Sequence, residues 1–323
     1  MTSYTLALLP GDGIGRDVMD EAKKILHSVE TLSPLSLTLN EIPCGGKHYL
    51  ETGEEWPEGS FEFCRDEADA ILLGAIGWPG ATTEDGDLAG GSVILGLRSG
   101  LDLYANMRPI KLYEGVRHKI HGEFTQVWKP GQVDMVVIRE NTQGLYHALL
   151  RRSADKAQGR TPWEPEDMQF PGLEGEVAWD PRPISRAGSE RVIRFAFDVA
   201  QRRSGAPGDG ATRVTCVDKS NVTRGCQLFN RVYHEISEEY SETETDHAYI
   251  DAFCMWPYGI QNGMMWSSPQ TCLVILAQIW QVCCRVEWAL LQVQIWGINT
   301  GCLNPYMVRL PSMLDKIQPI RWQ

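Results

Sequence analysis

Tyr4-Thr5-Leu6-Ala7-Leu8-Leu9 is an apolar run that ends in Pro10-Gly11-Asp12-Gly13-Ile14-Gly15. Over Arg16–Ser28, Val18, Met19, Ala22, Ile25 and Leu26 then recur at helical spacing. A strand, a glycine turn and a helix in that order open an α/β unit. The same alternation continues downstream. Ala68–Gly74 and Asp134–Arg139 are apolar runs of the kind a buried parallel strand requires. Ser189 reads as the cap of a helix with Val192, Ile193, Ala196, Val199 and Ala200 on one face. Thr212–Val217 reads as a strand, Gly225–Tyr240 as a helix and Ala248–Ala252 as a strand. Ser153–Gly175, rich in Pro and Gly, reads as a loop or extended arm. The alternation predicts a mostly parallel sheet with helices on both faces.

Composition narrows the function classes. The 323 residues suffice for one large α/β unit or two interleaved domains, and the net charge of -12 argues against a broad nucleic-acid face. Any anionic ligand must meet local arginines. Met1–Thr5 leads straight into the first strand without a signal peptide, so a cytoplasmic protein is expected. The nine cysteines contain no C-x-x-C and read as reduced thiols, and the seven histidines form no H-E-x-x-H.

Five segments can carry chemistry. Gly11–Gly15 is either a tight structural turn or a contact for a nucleotide at a helix N-terminus; it lacks the G-x-G-x-x-G spacing. Arg98 and Arg108 stand in apolar settings, where a guanidinium can clamp a carboxylate in a bidentate way. Arg139 follows a buried strand, a position where loops of open α/β sheets hold ligands. In the same segment, Tyr146 is either a proton donor or a buried tyrosine with a satisfied hydroxyl. Lys219, after another strand, is either a general base or an exposed loop lysine. Asp251, inside an apolar run, calls for a partner such as a metal ion.

In order and spacing these segments resemble the β-decarboxylating dehydrogenases that act on isopropylmalate, isocitrate, homoisocitrate and tartrate. The resemblance runs from Leu8–Gly15 through Gly74–Gly77, Leu97-Arg98, Tyr104–Pro109, Arg139–Gly144 and Asp218–Asn221 to Tyr249–Asp251, about four-fifths of the chain. Gln143 departs from it, since the family usually has glutamate there. The resemblance implies an isopropylmalate-dehydrogenase-like two-domain fold: 1–107 in the first domain, 108–251 in the second with a dimer arm, and 252–323 completing the first. It implies an NAD- or NADP-dependent oxidoreductase that uses Mg2+ or Mn2+ to oxidise and decarboxylate a small 2-hydroxy diacid. Arg98, Arg108 and Arg139 then clamp the substrate carboxylates. Tyr146 protonates the enolate, and Lys219 takes the hydroxyl proton. Asp251 ligates the metal, and Ile14, Ala75 and Asn221 line the cofactor. Lys219 and Asp251 reach the neighbouring subunit's site, so a homodimer is implied. Ile94 and Leu95, one turn before Arg98, suit an isopropylmalate side chain, whereas Gly91 leaves tartrate-like or malate-like substrates open.

The last stretch breaks this pattern. Only Arg285, Glu287, Arg309, Asp315, Lys316 and Arg321 are charged in 257–323, about one residue in eleven, against about one in four before it. That stretch also holds five of the eleven Trp and four of the nine Cys. It is no membrane span, because Arg285, Glu287 and several glutamines interrupt its apolar run. The family continues with a metal-binding F-G-D-I-x-S-D and a cofactor loop ending H-G-S-A-P, and neither is present. Read from the third base of the Pro257 codon, Cys272–Ile279 permits F-G-D-I-x-S-D-L and Gly301–Pro311 permits M-F-E-P-V-H-G-S-A-P. The hypothesis is a net loss of one base, or gain of two, near that codon. It leaves the chain without part of its sheet, its metal motif and most of its cofactor site. The rival class is a non-catalytic, decayed enzyme whose apolar tail contacts a partner or membrane. DNA sequencing across the codons for Met255 to Gly263 is expected to show one more base than this frame implies; a confirmed frame removes the sequencing-error explanation.

Overall fold

The computed structural model describes residues 2–84, 86–115, 118–120, 123–125, 130, 131, 133–144, 146–157, 160, 161, 172, 175, 177, 181–255 and 273–277. The chain divides into two compact units, one built on Met1–Leu103 and Leu150–Pro162, the other on Tyr104–Leu149 and the described residues between Trp163 and Asn299.

In the first unit, β1 (Thr2–Leu9) leads through the glycine turn into α1 (Ile14–Leu32), followed by β2 (Leu35–Glu41), α2 (Gly46–Thr52), the short α3 (Ser60–Glu62) and β3 (Ala70–Leu73). The strands form a parallel sheet in the order β2-β1-β3, with Leu9 level with Leu73. A further helix, α4 (Gly91–Gly100), buries Val93 and Leu97 against Ala7, Leu9, Ile42, Cys44, Cys64 and Leu73. Each large aliphatic side chain buried this way contributes on the order of 1.5–3 kcal/mol.

The second unit carries β4 (Ala105–Lys111), a short β5–β6 hairpin (His118–Ile120 and Glu123–Thr125), β7 (Asp134–Glu140) and α5 (Tyr146–Ala157). The hairpin is antiparallel, and α5 crosses from this unit into the first. Next come α6 (Arg186–Gln201), β8 (Arg213–Asp218), α7 (Arg224–Ser237), β9 (Glu244–Tyr249), α8 (Ile250–Met255) and β10 (Leu273–Ala277). The main sheet has the order β4-β7-β10-β8-β9, parallel except for β4. Helix α6 buries Val192, Ile193, Ala196 and Ala200 of the stripe anticipated from its spacing and adds Phe195 and Phe197, while Val199 is only half-buried.

Three expectations need correction. The α6 cap is Ser185, whose side chain accepts from Gly188 N; Ser189 is buried inside the helix and donates to Ser185 O at 2.8 Å. Ser153–Ala157, expected as loop, continues α5. The strand expected over Ala248–Ala252 ends at Tyr249, so Asp251 lies in the first turn of α8, on the surface. The apolar run Leu273–Ala277 pairs with both β7 and β8. The expected shift of reading frame near Pro257, and the metal and cofactor motifs it would remove, lie outside the described residues. Among the described residues, no helix is long and apolar enough to cross a membrane.

Cys44, Cys64, Cys216 and Cys226 are buried free thiols. Burial pushes the Cys44 thiol from 9.0 up to about 12 and the Cys64 thiol to about 11. A folded value raised above the unfolded one stabilises the fold below the unfolded value, and that contribution is lost as pH rises through the folded one. Thermal stability is therefore expected to fall between about pH 9 and 12, with a shallower slope in Cys44→Ala than in the unmodified chain. Equal slopes in the two proteins would contradict the assignment.

Candidate active site

The registers of the main sheet set out its carboxyl ends. Arg139 pairs with Ala277, Ala277 with Val217, and Val217 with Ala248, so the four lie in one row across β7, β10, β8 and β9. At about 4.8 Å per strand, Arg139 and Val217 are roughly 10 Å apart. The segments that follow this row are Glu140–Gly144, Asp218–Asn221 and Ile250–Asp251. Such ends are where open α/β sheets hold ligands.

Arg108 joins from the antiparallel neighbour. Its Cα partner on β7 is Val137, while Asn106 faces Arg139. Arg108 and Arg139 are thus diagonal neighbours on one sheet face. Arg108 Nε donates to Asn106 Oδ1 at 2.7 Å, and Arg139 Nη2 donates to Asn141 Oδ1 at 2.9 Å. These amides hold both planar heads in fixed orientations. Arg98 sits in the first unit, buried in the last turn of α4, and its carbonyl accepts from Leu103 N.

The turn after β7 is organised by Glu140. Its buried carboxylate accepts from Thr142 N at 2.9 Å, Gln143 N at 2.6 Å and Thr142 Oγ1 at 2.5 Å. Arg191 of α6 closes the group at 3.2 Å and lies over the Tyr104 ring at 4.5 Å. This turn delivers Tyr146 at the start of α5; the Tyr146 ring lies outside the described side chains. Gln143 fastens the same turn to α6: its Oε1 accepts from Ser185 N at 2.9 Å, and its Nε2 donates to Ser185 Oγ at 2.8 Å. A glutamate could accept from both the Ser185 N–H and the hydroxyl, so either residue type fits here.

After β8, Asp218 is fully buried. Its carboxylate accepts from Ser220 N at 2.8 Å and Asn230 Nδ2 at 3.0 Å, and His247 Nε2 lies 3.0 Å away. The loop it braces carries Lys219 and the exposed Asn221. Lys219 is ion-paired with Asp251 at the start of α8. The two residues are brought together, but Asp251 is a surface carboxylate, not one enclosed in a strand.

The turn that leads into Ile14 packs against Ala75. Asp12 N donates to Ala75 O at 2.7 Å, and a Cβ on Gly11 would lie only 2.1 Å from that oxygen. Gly15 and Gly74 are likewise packed against the Pro10 carbonyl. These glycines permit close backbone packing, as the structural-turn reading requires. Gly13 and Gly77, both at positive φ, face open space instead.

The sequence reading passed over three of these anchors: Asp12, Glu140 with Arg191, and Asp218 with His247. A carboxylate at the last residue of a buried strand, or directly beyond it, was the available signal for the two latter.

The model of the isocitrate/isopropylmalate dehydrogenase family matches residues 5–257, and the chain belongs to that family. It is 36% identical over 248 residues to the 3-isopropylmalate dehydrogenase of Corynebacterium efficiens, covering 76% of this chain and 62% of that protein. The chain thus spans about three-fifths of that relative's length. In structure it is similar to isocitrate dehydrogenase from Methylococcus capsulatus, with a TM-score of 0.63 and 26% identity, covering 88% of this chain and 70% of that one. It is also similar to a β-decarboxylating dehydrogenase from Thermococcus kodakarensis, with a TM-score of 0.58 and 28% identity, over 90% of this chain and 68% of that one.

Glu140→Gln would set an amide NH2 against main-chain N–H donors. We expect it to lower the unfolding free energy by about 1–3 kcal/mol in urea titrations. Unchanged stability would mean that Glu140 does not brace the turn.

Proposed function

We propose that this chain carries the substrate-clamping and proton-transfer residues of a cytoplasmic, homodimeric oxidoreductase. An intact enzyme of that kind oxidises and decarboxylates a 2-hydroxy diacid with NAD or NADP and Mg2+ or Mn2+. The supporting observation is the common sheet edge that presents the segments bearing Arg139, Lys219 and Asp251, with Arg108 beside Arg139.

In this reading Arg98, Arg108 and Arg139 hold the substrate carboxylates through charge-assisted hydrogen bonds. Lys219 removes the C2 hydroxyl proton through a water molecule. Its pairing with Asp251 holds Nζ in place, and both residues serve the neighbouring subunit. Oxidation at C2 makes a 2-oxo acid, loss of the β-carboxylate as CO2 leaves an enolate, and Tyr146 protonates C3. Ile94 and Leu95, half-buried on α4 one turn before Arg98, favour an isopropylmalate-like side chain.

The open faces of Gly13 and Gly77, beside Ile14 and Ala75, fit a nucleotide cofactor. Asn221 would stand near its nicotinamide, whose chemistry is to accept hydride from C2. The metal fits less well. Asp251 is an oxygen donor of the right kind. Among the described residues, however, no three His, Cys, Asp or Glu side chains gather as a ligand group, and Lys219 already pairs with Asp251. A single ion-paired carboxylate does not make a divalent-cation site, and no step is routed through one.

Calorimetry on the intact chain, its tail confirmed by mass, is expected to show binding of 3-isopropylmalate, isocitrate or tartrate. Arg139→Leu should weaken that binding by about 100-fold, the worth of roughly two charge-assisted hydrogen bonds. With NAD and Mn2+ added, no turnover is expected in this reading frame. Lack of diacid binding would overturn the substrate reading, and turnover would overturn the expectation of an inactive chain.

A further inference from the structure

Among the described residues of the first unit, Asp12 is the most enclosed carboxylate, 2% exposed. Its partners are main-chain N–H groups from two other segments. Oδ2 accepts from Gly46 N at 2.8 Å and Gly77 N at 2.9 Å, and Oδ1 accepts from Lys47 N at 2.8 Å. The approach is so close that a Cβ on Gly45 would lie 2.5 Å from Oδ2. The Asp12 main chain adds its own links, N–H to Ala75 O and carbonyl to Gly15 N. One residue therefore ties together the turn bearing Ile14, the start of α2 and the Ala75–Gly77 loop.

Three N–H groups converging on one point form the kind of nest that binds free anions. Here the chain fills the nest with its own side chain, so this nest is closed to a cofactor phosphate. We propose that Asp12 is a positioning residue for the nucleotide: its carboxylate sets the spacing between the Ile14 turn and the Ala75–Gly77 loop. The inference rests on the cofactor reading above. It assigns Asp12 no contact with the nucleotide; the residue acts through Ile14, Ala75 and the open faces of Gly13 and Gly77.

The geometry makes the role separable from bulk stability. Asp12→Ala leaves three donors around a carboxyl-sized space that formate can occupy. Asp12→Asn keeps the volume but turns an NH2 against at least one N–H donor. Val93→Ala opens the same unit's core and removes none of the N–H bonds to the Asp12 carboxylate.

The test is titration of NAD into the intact chain, with thermal unfolding measured in parallel. Both Asp12 variants are expected to bind NAD about tenfold or more weakly, the cost of losing charge-assisted hydrogen bonds. Formate should restore affinity to Asp12→Ala and leave Asp12→Asn and the unmodified chain unchanged. Val93→Ala should lose thermal stability while keeping unmodified affinity. Normal affinity in Asp12→Ala, no response to formate, or an equal affinity loss in Val93→Ala would each overturn the positioning role. An unmodified chain that binds neither NAD nor NADP overturns the cofactor reading itself, and this proposal with it.

Discussion

Parallel main-chain pairing is the constraint on which the second unit depends. Because β7, β10, β8 and β9 run in one direction, their carboxyl ends fall on one edge. Every segment that follows them starts from that edge. The chemistry-bearing side chains are thus gathered by the backbone ladder before any of them interacts. Local carboxylates then refine their aim: Glu140 shapes the turn toward Tyr146, and Asp218 shapes the loop that holds Lys219.

The first unit follows the same logic on a smaller scale. Leu9 and Leu73 end β1 and β3 side by side, and both are followed by glycine-containing turns. Gly11, Gly15 and Gly74 let those turns touch backbone to backbone, which no side chain would allow. Asp12 neutralises the N–H groups left pointing inward. Across the molecule, buried carboxylates facing main-chain donors recur as the device that fixes loops, with Asp12, Glu140 and Asp218 as the instances.

Periodicity and order made much of this legible. The β1–turn–α1 opening, the stripe of α6 and the apolar runs of β7 and β8 depend on near neighbours in sequence, which a single chain displays. The failures share a different cause. Asp251 was read into a strand because Tyr249-Ile250-Asp251-Ala252 has no breaker, yet pairing with β8 stops at Tyr249 and the chain turns into a helix. Ser189 was read as a cap because nothing local distinguishes it from Ser185, which is selected by Gln143 from 42 positions away. The link between Glu140 and Arg191 spans 51 positions. Contacts of that separation leave no periodic trace.

The place of β10 has a broader consequence. A strand slot between two parallel neighbours is read by main-chain N–H and C=O groups, which are the same in every residue except proline. Leu273–Ala277 occupies that slot with no charged residue and no proline. An empty slot would present two adjacent rows of unpaired groups, an invitation to aggregate. Filling it demands only an apolar, extended run, whereas a catalytic centre demands particular atoms. The backbone demand of a strand slot and the side-chain demands of a catalytic centre therefore act on the sequence separately.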